Sequence, residues 1–137
     1  MLCVHRNGAT RACPPGHQEV PAAYRAVGQP VLIPGDMGRY SFLLVGRPAA
    51  MTETFGSVCH GAGRAMSRHE AMRNVRGEDV RRDLRLRGIV ALAKSWRGLA
   101  EEYSGAYKDV ADVVDVVEKA GLAQKVCRLR PLGVVKG

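Results

Sequence analysis

The stretch Asp109-Val-Ala-Asp-Val-Val-Asp-Val-Val-Glu-Lys-Ala-Gly121, followed by a basic and apolar tail to Gly137, decides the fold class. Val110, Val113, Val114 and Val117 recur at i, i+3, i+4 and i+7, which makes one apolar stripe on a helix over Val110–Ala120. Asp109 is placed to cap its N-terminus, and Gly121 to end it. From Lys125 to Lys136 basic and apolar residues alternate, ending in Gly133-Val134-Val135-Lys136-Gly137, and this spacing predicts strands. A helix feeding strands points to an α/β (α+β) fold of mixed strands and short helices.

Upstream, Val31-Leu32-Ile33 predicts a buried strand that stops at Pro34-Gly35. Asp36-Met37-Gly38-Arg39 predicts a turn, and Tyr40–Val45 a second strand ended by Gly46-Arg47-Pro48. Met51–Ser57 reads as a loop and Gly61–Asn74 as a helix with Ala62, Ala65, Met66 and Met72 on one side. Glu78–Leu84 is a short helix, Ile89–Ala93 a strand, Ser95 a cap, and Ala100–Tyr103 a helical or tight turn. Before Pro30 the chain is punctuated by Gly and Pro, so any strand there is short.

With 137 residues there is room for one domain, and no internal repeat or linker divides it. Hydrophobic residues at 46% and charged residues at 25% exclude disorder as the default. The formal charge of +8 favours polyanionic partners such as nucleic acid or nucleotides, set against a basic surface with no specific partner. No apolar run approaches the ~20 residues that span a bilayer, and Met1-Leu2-Cys3-Val4 is too short for a secretory signal, so no membrane partner is expected. Cys3, Cys13, Cys59 and Cys127 form no CxxC pair, and reduced thiols in a cytoplasmic protein account for them.

Two constellations bear chemistry. In Cys59-His60-Gly61-Ala62-Gly63-Arg64, a Gly-rich turn opening a helix would present N–H groups to a phosphate, and Arg64 would add a charged donor. A neutral nitrogen of His60 beside that phosphate is a nucleophile toward phosphorus. The same pattern also fits turn glycines beside a packed histidine. In the second constellation, His5 is expected at a strand end, with Cys3 on the same face, where imidazole could ligate a metal. His17 and His69 read as surface residues, and nothing local marks Lys136.

Taken together these segments resemble the RtcB family of RNA ligases. The resemblance rests on HRNGATRA at 5–12, PPGH at 14–17, VLIPGDMG at 31–38, CHGAGRAMSR at 59–68, AYKDV at 106–110 and LRPLGVVKG at 129–137, in family order along nearly the whole chain. It implies an enzyme that uses GTP and Mn(II) to join RNA 3′-phosphate or 2′,3′-cyclic phosphate ends to 5′-hydroxyl ends, as in tRNA splicing and RNA repair. Its partners would be tRNA halves or broken RNA ends, GTP and archease. By the same resemblance His60 is the guanylylated histidine and His5 a manganese ligand. Lys136 contacts guanine, Tyr107 lies beside the nucleotide, Ser41 belongs to the guanosine-binding segment, and Gly61, Ala62, Gly63 and Arg64 lie near the guanylate. Two positions depart from the family pattern: Asn7 where many members have Lys, and Asp36 where many have Ser.

The family's remaining metal ligands belong to motifs that do not occur here. Residues 1–137 therefore read as the C-terminal part of an RtcB-like catalytic domain, with apolar surface left uncovered. Two alternatives are an inactive basic RNA-binding fragment and one subunit of a split ligase assembled with a separate N-terminal chain.

Overall fold

The computed structural model describes residues 3–136; Met1, Leu2 and Gly137, which belong to segments discussed above, lie outside the described residues. Three small sheets and six helices alternate along it. The central sheet has the order β2-β3-β6, all antiparallel, from Pro30–Ile33, Ser41–Gly46 and Ala123–Leu129. β3 is the middle strand, and its burial alternates along its length, with Phe42, Leu44 and Gly46 inside. The turn expected at Asp36–Arg39 joins β2 to β3 in a hairpin whose register sets Ile33 opposite Phe42 and Val31 opposite Leu44.

The helix read from the valine stripe, α6, runs Val110–Lys119. The Asp109 carboxylate accepts from Ala111 N–H at 2.8 Å, and Gly121 takes φ +71°, the left-handed turn that ends a helix without steric cost. Val110, Val114 and Val117 lie buried against Val31, Ile33, Phe42, Leu44 and Ala123 to form the larger core.

Flanking this core, β1 (Ala9–Arg11) pairs antiparallel with β4 (Ser57–Cys59). Ahead of the central hairpin lies the one-turn helix α1 (Ala22–Arg25). Where a loop was expected at Met51–Ser57, the chain forms α2, Pro48–Thr54. Pro48 occupies the first turn, where its missing N–H costs nothing, so a residue read as part of the strand stop opens the helix. The helix expected over Gly61–Asn74 starts only at Arg68, as α3 (Arg68–Asn74), with Ser67 Oγ accepting from Glu70 N–H at 3.1 Å. Residues 62–65 are held out of helix by distant backbone partners: Ala62 N–H donates to Pro34 O at 3.0 Å and Ala65 N–H to Ala106 O at 2.8 Å.

A second core gathers Met37, Val80, Leu84, Ile89, Ala91 and Leu99. It is built from α4 (Gly77–Leu86), β5 (Val90–Ala93) and α5 (Trp96–Glu101), whose Ser95 cap accepts from Gly98 N–H at 3.1 Å. A 3₁₀ turn at Ser104–Ala106 follows. The last strand, β7 (Gly133–Lys136), pairs parallel to β5. This two-stranded sheet leaves apolar side chains in solvent, with Val90 64%, Leu92 58% and Val135 79% exposed. Among the described residues no helix is long and apolar enough to cross a membrane.

The stripe on α6 makes a graded prediction. Val114, fully buried, should cost about 2 kcal/mol when replaced by Ala, from lost transfer energy and a residual cavity. Val116, 67% exposed two residues on, should cost less than about 0.5 kcal/mol. Urea denaturation of Val114→Ala and Val116→Ala measures both; equal midpoints would contradict the packing described.

Candidate nucleotide cleft

Between the two cores runs a cleft of about 520 Å³. Its walls come from the β2–β3 turn, the segment after β4, the loop after α5, and β7. Ser41, His60, Gly61, Ala62, Gly63, Arg64, Tyr107 and Lys136 all line it. Of these expected residues the most distant pair in sequence, Ser41 and Lys136, thus meet in one cavity. His5 does not line it. That residue is exposed in irregular chain ahead of β1, so neither it nor Cys3 sits on a strand, and the common strand face expected for the pair does not exist.

His60 directly follows β4, whose register fixes Cys59 opposite Ala9, and its side chain is open to solvent. The turn after it is not a helix N-terminus, which corrects the dipole part of the phosphate reading. Its shape comes from backbone geometry instead. Gly63 has φ +75°, and its carbonyl accepts from Lys108 N–H at 3.0 Å. At Gly61 a Cβ would press to 3.3 Å from Pro34 O.

Arg64 is held firmly. Nε donates to Met66 O at 3.0 Å, Nη1 to Tyr107 Oη at 3.1 Å and Glu102 Oε1 at 3.2 Å, and Nη2 to Glu101 O at 2.7 Å. The guanidinium also lies 4.9 Å from the centre of the Tyr107 ring. Most of its donors are therefore spent inside the protein, and its first role is to build the wall.

Glu102, which sequence reading passed over, joins these groups. Its carboxylate accepts from Tyr107 Oη, from Arg64, and from Lys136 Nζ at 3.2 Å, with Arg68 Nε 3.8 Å away. Burial pushes the Glu102 carboxyl up, but bonds from Tyr107 and Lys136 with the Lys136 and Arg64 charges outweigh it, and the group sits below its ordinary value. Tyr107 moves the other way: burial, then its bond to the Glu102 carboxylate, raises the phenol. Lys136, which nothing local marked, is thus a half-buried, paired ammonium.

Asp36 lines the cleft as well, but its carboxylate turns inward, accepting from Gly38 N–H at 2.9 Å, Arg39 N–H at 3.1 Å and the Arg39 guanidinium. Arg39 in turn donates to Ser104 O, Tyr107 O and Lys108 O at 3.0–3.1 Å. The Asp that departs from the family pattern is occupied in holding the Tyr107 segment.

A carboxyl depressed on folding stabilises the fold above its unfolded value and loses that contribution as pH falls through its folded value. Glu102→Gln should therefore cost about 1–2 kcal/mol at pH 7. The difference between wild type and variant should shrink below the ordinary Glu value of 4.5. Paired urea melts from pH 7 to pH 3 measure it, and a gap independent of pH would remove Glu102 as the charged centre of the cleft.

Comparison with known proteins fits this arrangement. The family model described as tRNA-splicing ligase RtcB matches residues 1–137. The chain is 60% identical over 136 residues to the tRNA-splicing ligase RtcB of Pyrococcus horikoshii, covering 99% of this chain and 16% of that protein. The like-named protein of Archaeoglobus fulgidus is also 60% identical, with 28% of its length covered. The RNA-splicing ligase RtcB of Mycobacterium tuberculosis is 54% identical, with 31% covered. The chain thus spans less than a third of the length of each of these relatives. With the match running from the first residue to the last, through every segment that lines the cleft, the chain belongs to the tRNA-splicing ligase RtcB family.

Proposed function

We propose that the cleft receives the guanylate of GTP and that His60 carries it covalently during RNA ligation. The reading rests on one observation: the residues that resemble the family's nucleotide contacts, scattered from Ser41 to Lys136, line a single cavity together with His60. In the proposed reaction a neutral imidazole nitrogen of His60 attacks the α-phosphorus. A P–N bond forms, the P–O bond to pyrophosphate breaks, and pyrophosphate leaves. GMP then passes to an RNA 3′-phosphate, and a 5′-hydroxyl displaces it to join tRNA halves or broken RNA ends. In this reading the Lys136 ammonium, held by Glu102, would donate to guanine, with Tyr107 beside the nucleotide and Ser41, which lines the same cavity, in the guanosine-binding segment. The Gly61–Arg64 turn borders the phosphate.

The residues present do not complete a manganese site. Among the described residues no three ligand atoms converge near His60 or His5, and one imidazole does not hold a divalent ion. We therefore assign His5 only as one contributor to a Mn(II) site. The other ligands would come from the part of its relatives' length that this chain does not span, on the same polypeptide or on a separate chain. Residues 1–137 are accordingly read as the C-terminal part of a larger catalytic domain working on RNA in the cytoplasm, with archease as a further partner. The +8 charge supports the RNA partner, since phosphate neutralisation releases counterions.

Two outcomes follow. Residues 1–137 alone, given GTP, Mn(II) and RNA with 2′,3′-cyclic phosphate and 5′-hydroxyl ends, should yield no ligated product above a His60→Ala control. A product would mean that the chain carries its own metal centre. In a protein restored to the length of its relatives, GTP labelled at the α-phosphate should label His60 in a Mn(II)-dependent reaction. The adduct should be acid-labile and alkali-stable, as a phosphoramidate is. His60→Ala should abolish the label, and Lys136→Ala should weaken GTP use without loss of metal. A label that maps to lysine would overturn the nucleophile assignment.

A further inference from the structure

Outside the cleft, the loop after β1 brings a second set of ligand-bearing side chains together. Cys13, His17 and Glu19 each offer one donor atom, and these atoms lie within 4.8 Å of one another. The backbone around them is tied down. Gln29 N–H donates to Cys13 O at 2.9 Å, His17 N–H to Pro14 O at 3.3 Å, and Val20 N–H to His17 O at 3.1 Å.

We propose that Cys13, His17 and Glu19 form a binding site for one zinc ion, with water as the fourth ligand. Sulfur, imidazole nitrogen and carboxylate oxygen together suit Zn(II) in tetrahedral geometry and disfavour the harder Mg(II), Ca(II) and Mn(II), which prefer oxygen sets. On binding, the Cys13 S–H bond breaks, the sulfur ligates the metal, and one proton goes to solvent. The thiolate and the Glu19 carboxylate then balance the ion's charge. The supporting groups are already in place. Arg11 Nη1 holds Glu19 Oε2 at 2.8 Å, and Arg11 Nε holds Gln29 Oε1 at 3.1 Å. The same Gln29 oxygen accepts from Cys13 N–H at 3.3 Å. One side chain therefore orients the acid directly and the cysteine through Gln29, as groups behind metal ligands commonly do. Among the described residues the imidazole makes one bond, from Glu19 N–H to His17 Nδ1, and it is long at 3.3 Å, so a metal taking a ring nitrogen displaces little. Between Cys13 and Gly28, Val20 is the only buried residue, so this loop has almost no core of its own. An ion tying Cys13 to His17 and Glu19 staples it.

The test uses residues 1–137 with Cys3→Ser and Cys127→Ser, which remove the exposed thiols, and Co(II) as a spectroscopic probe under reducing conditions. One equivalent of Co(II) should give tetrahedral d–d bands and a thiolate-to-metal charge-transfer band, and Zn(II) should displace it. Cys13→Ser should remove the charge-transfer band. His17→Ala and Glu19→Gln alter side chains outside the core, so they report even if Cys13→Ser misfolds. Each should weaken Zn(II) at least about tenfold and abolish the rise in melting temperature that Zn(II) gives. A charge-transfer band surviving in Cys13→Ser, unchanged Zn(II) affinity in both His17→Ala and Glu19→Gln, or Mn(II) competing as well as Zn(II) would each overturn the proposal.

Discussion

The fold depends most on one guanidinium. Arg39 leaves the β2–β3 turn, pairs with Asp36 behind it, and donates to the carbonyls of Ser104, Tyr107 and Lys108 ahead of it. The 104–109 segment is irregular backbone, whose carbonyls need partners once covered. Arg39 supplies a fixed fork of donors that can satisfy several at once. Asp109, at the end of that segment, lies 3.5 Å from the same guanidinium, accepts from Tyr40 Oη and caps α6. The hairpin of the first core, the loop carrying Tyr107 and the start of the valine helix are therefore fixed by one cation. The Asp36 side chain is fully buried beneath it, so the pair belongs to the interior rather than to the rim.

Around the cleft the charges are arranged unevenly. Arg64, Arg68 and Lys136 converge on Glu102, with Tyr107 among them. Arg68 also lies 3.9 Å from the Glu101 carboxylate, so three cations face two carboxylates; the remaining excess of positive charge sits in a concave wall, where it attracts a polyanion more strongly than on a convex surface. It also keeps Lys136 ordered before any ligand arrives, so less side-chain freedom is lost on binding. A basic sequence balance thus becomes a localised field.

What could be read from sequence was local. The α6 stripe, the Asp109 cap and the β2–β3 hairpin follow from spacing within a dozen residues, and the structure has them where the spacing put them. Most of the errors were nonlocal, although the strand expected for Cys3 and His5 and the helix opened by Pro48 were local misreadings. The expected helix over Gly61–Asn74 starts late because Ala62 and Ala65 make their bonds to Pro34 and Ala106, and α2 was read as loop because Pro48 was taken only as a strand stop. Arg39 looked like a turn residue because its partners lie 65 to 69 positions later. Glu102 drew no notice in the sequence, because the cations that find it come from 38 positions before and 34 after. For His60 the short pattern alone did not separate a nucleophile from a packed histidine; the order of motifs along the chain pointed to the family, and the structure sets His60 in the wall of the cleft.

The parallel pairing of β5 with β7 sets the order in which the cavity can be assembled. Val90 pairs with Gly133 and Ala93 with Lys136, with α5, the 3₁₀ turn, α6 and β6 lying between the two strands. A ladder closing so long a loop forms only after the intervening elements have shortened it, because the closure entropy is large until then. The helices and the β2–β3 hairpin, built on near neighbours, condense first. The lysine wall of the cleft is therefore among the last parts to close during folding and, held by two strands with apolar faces in solvent, among the first to open. The shape of the cleft should then track the integrity of this one small sheet more closely than the stability of the larger core.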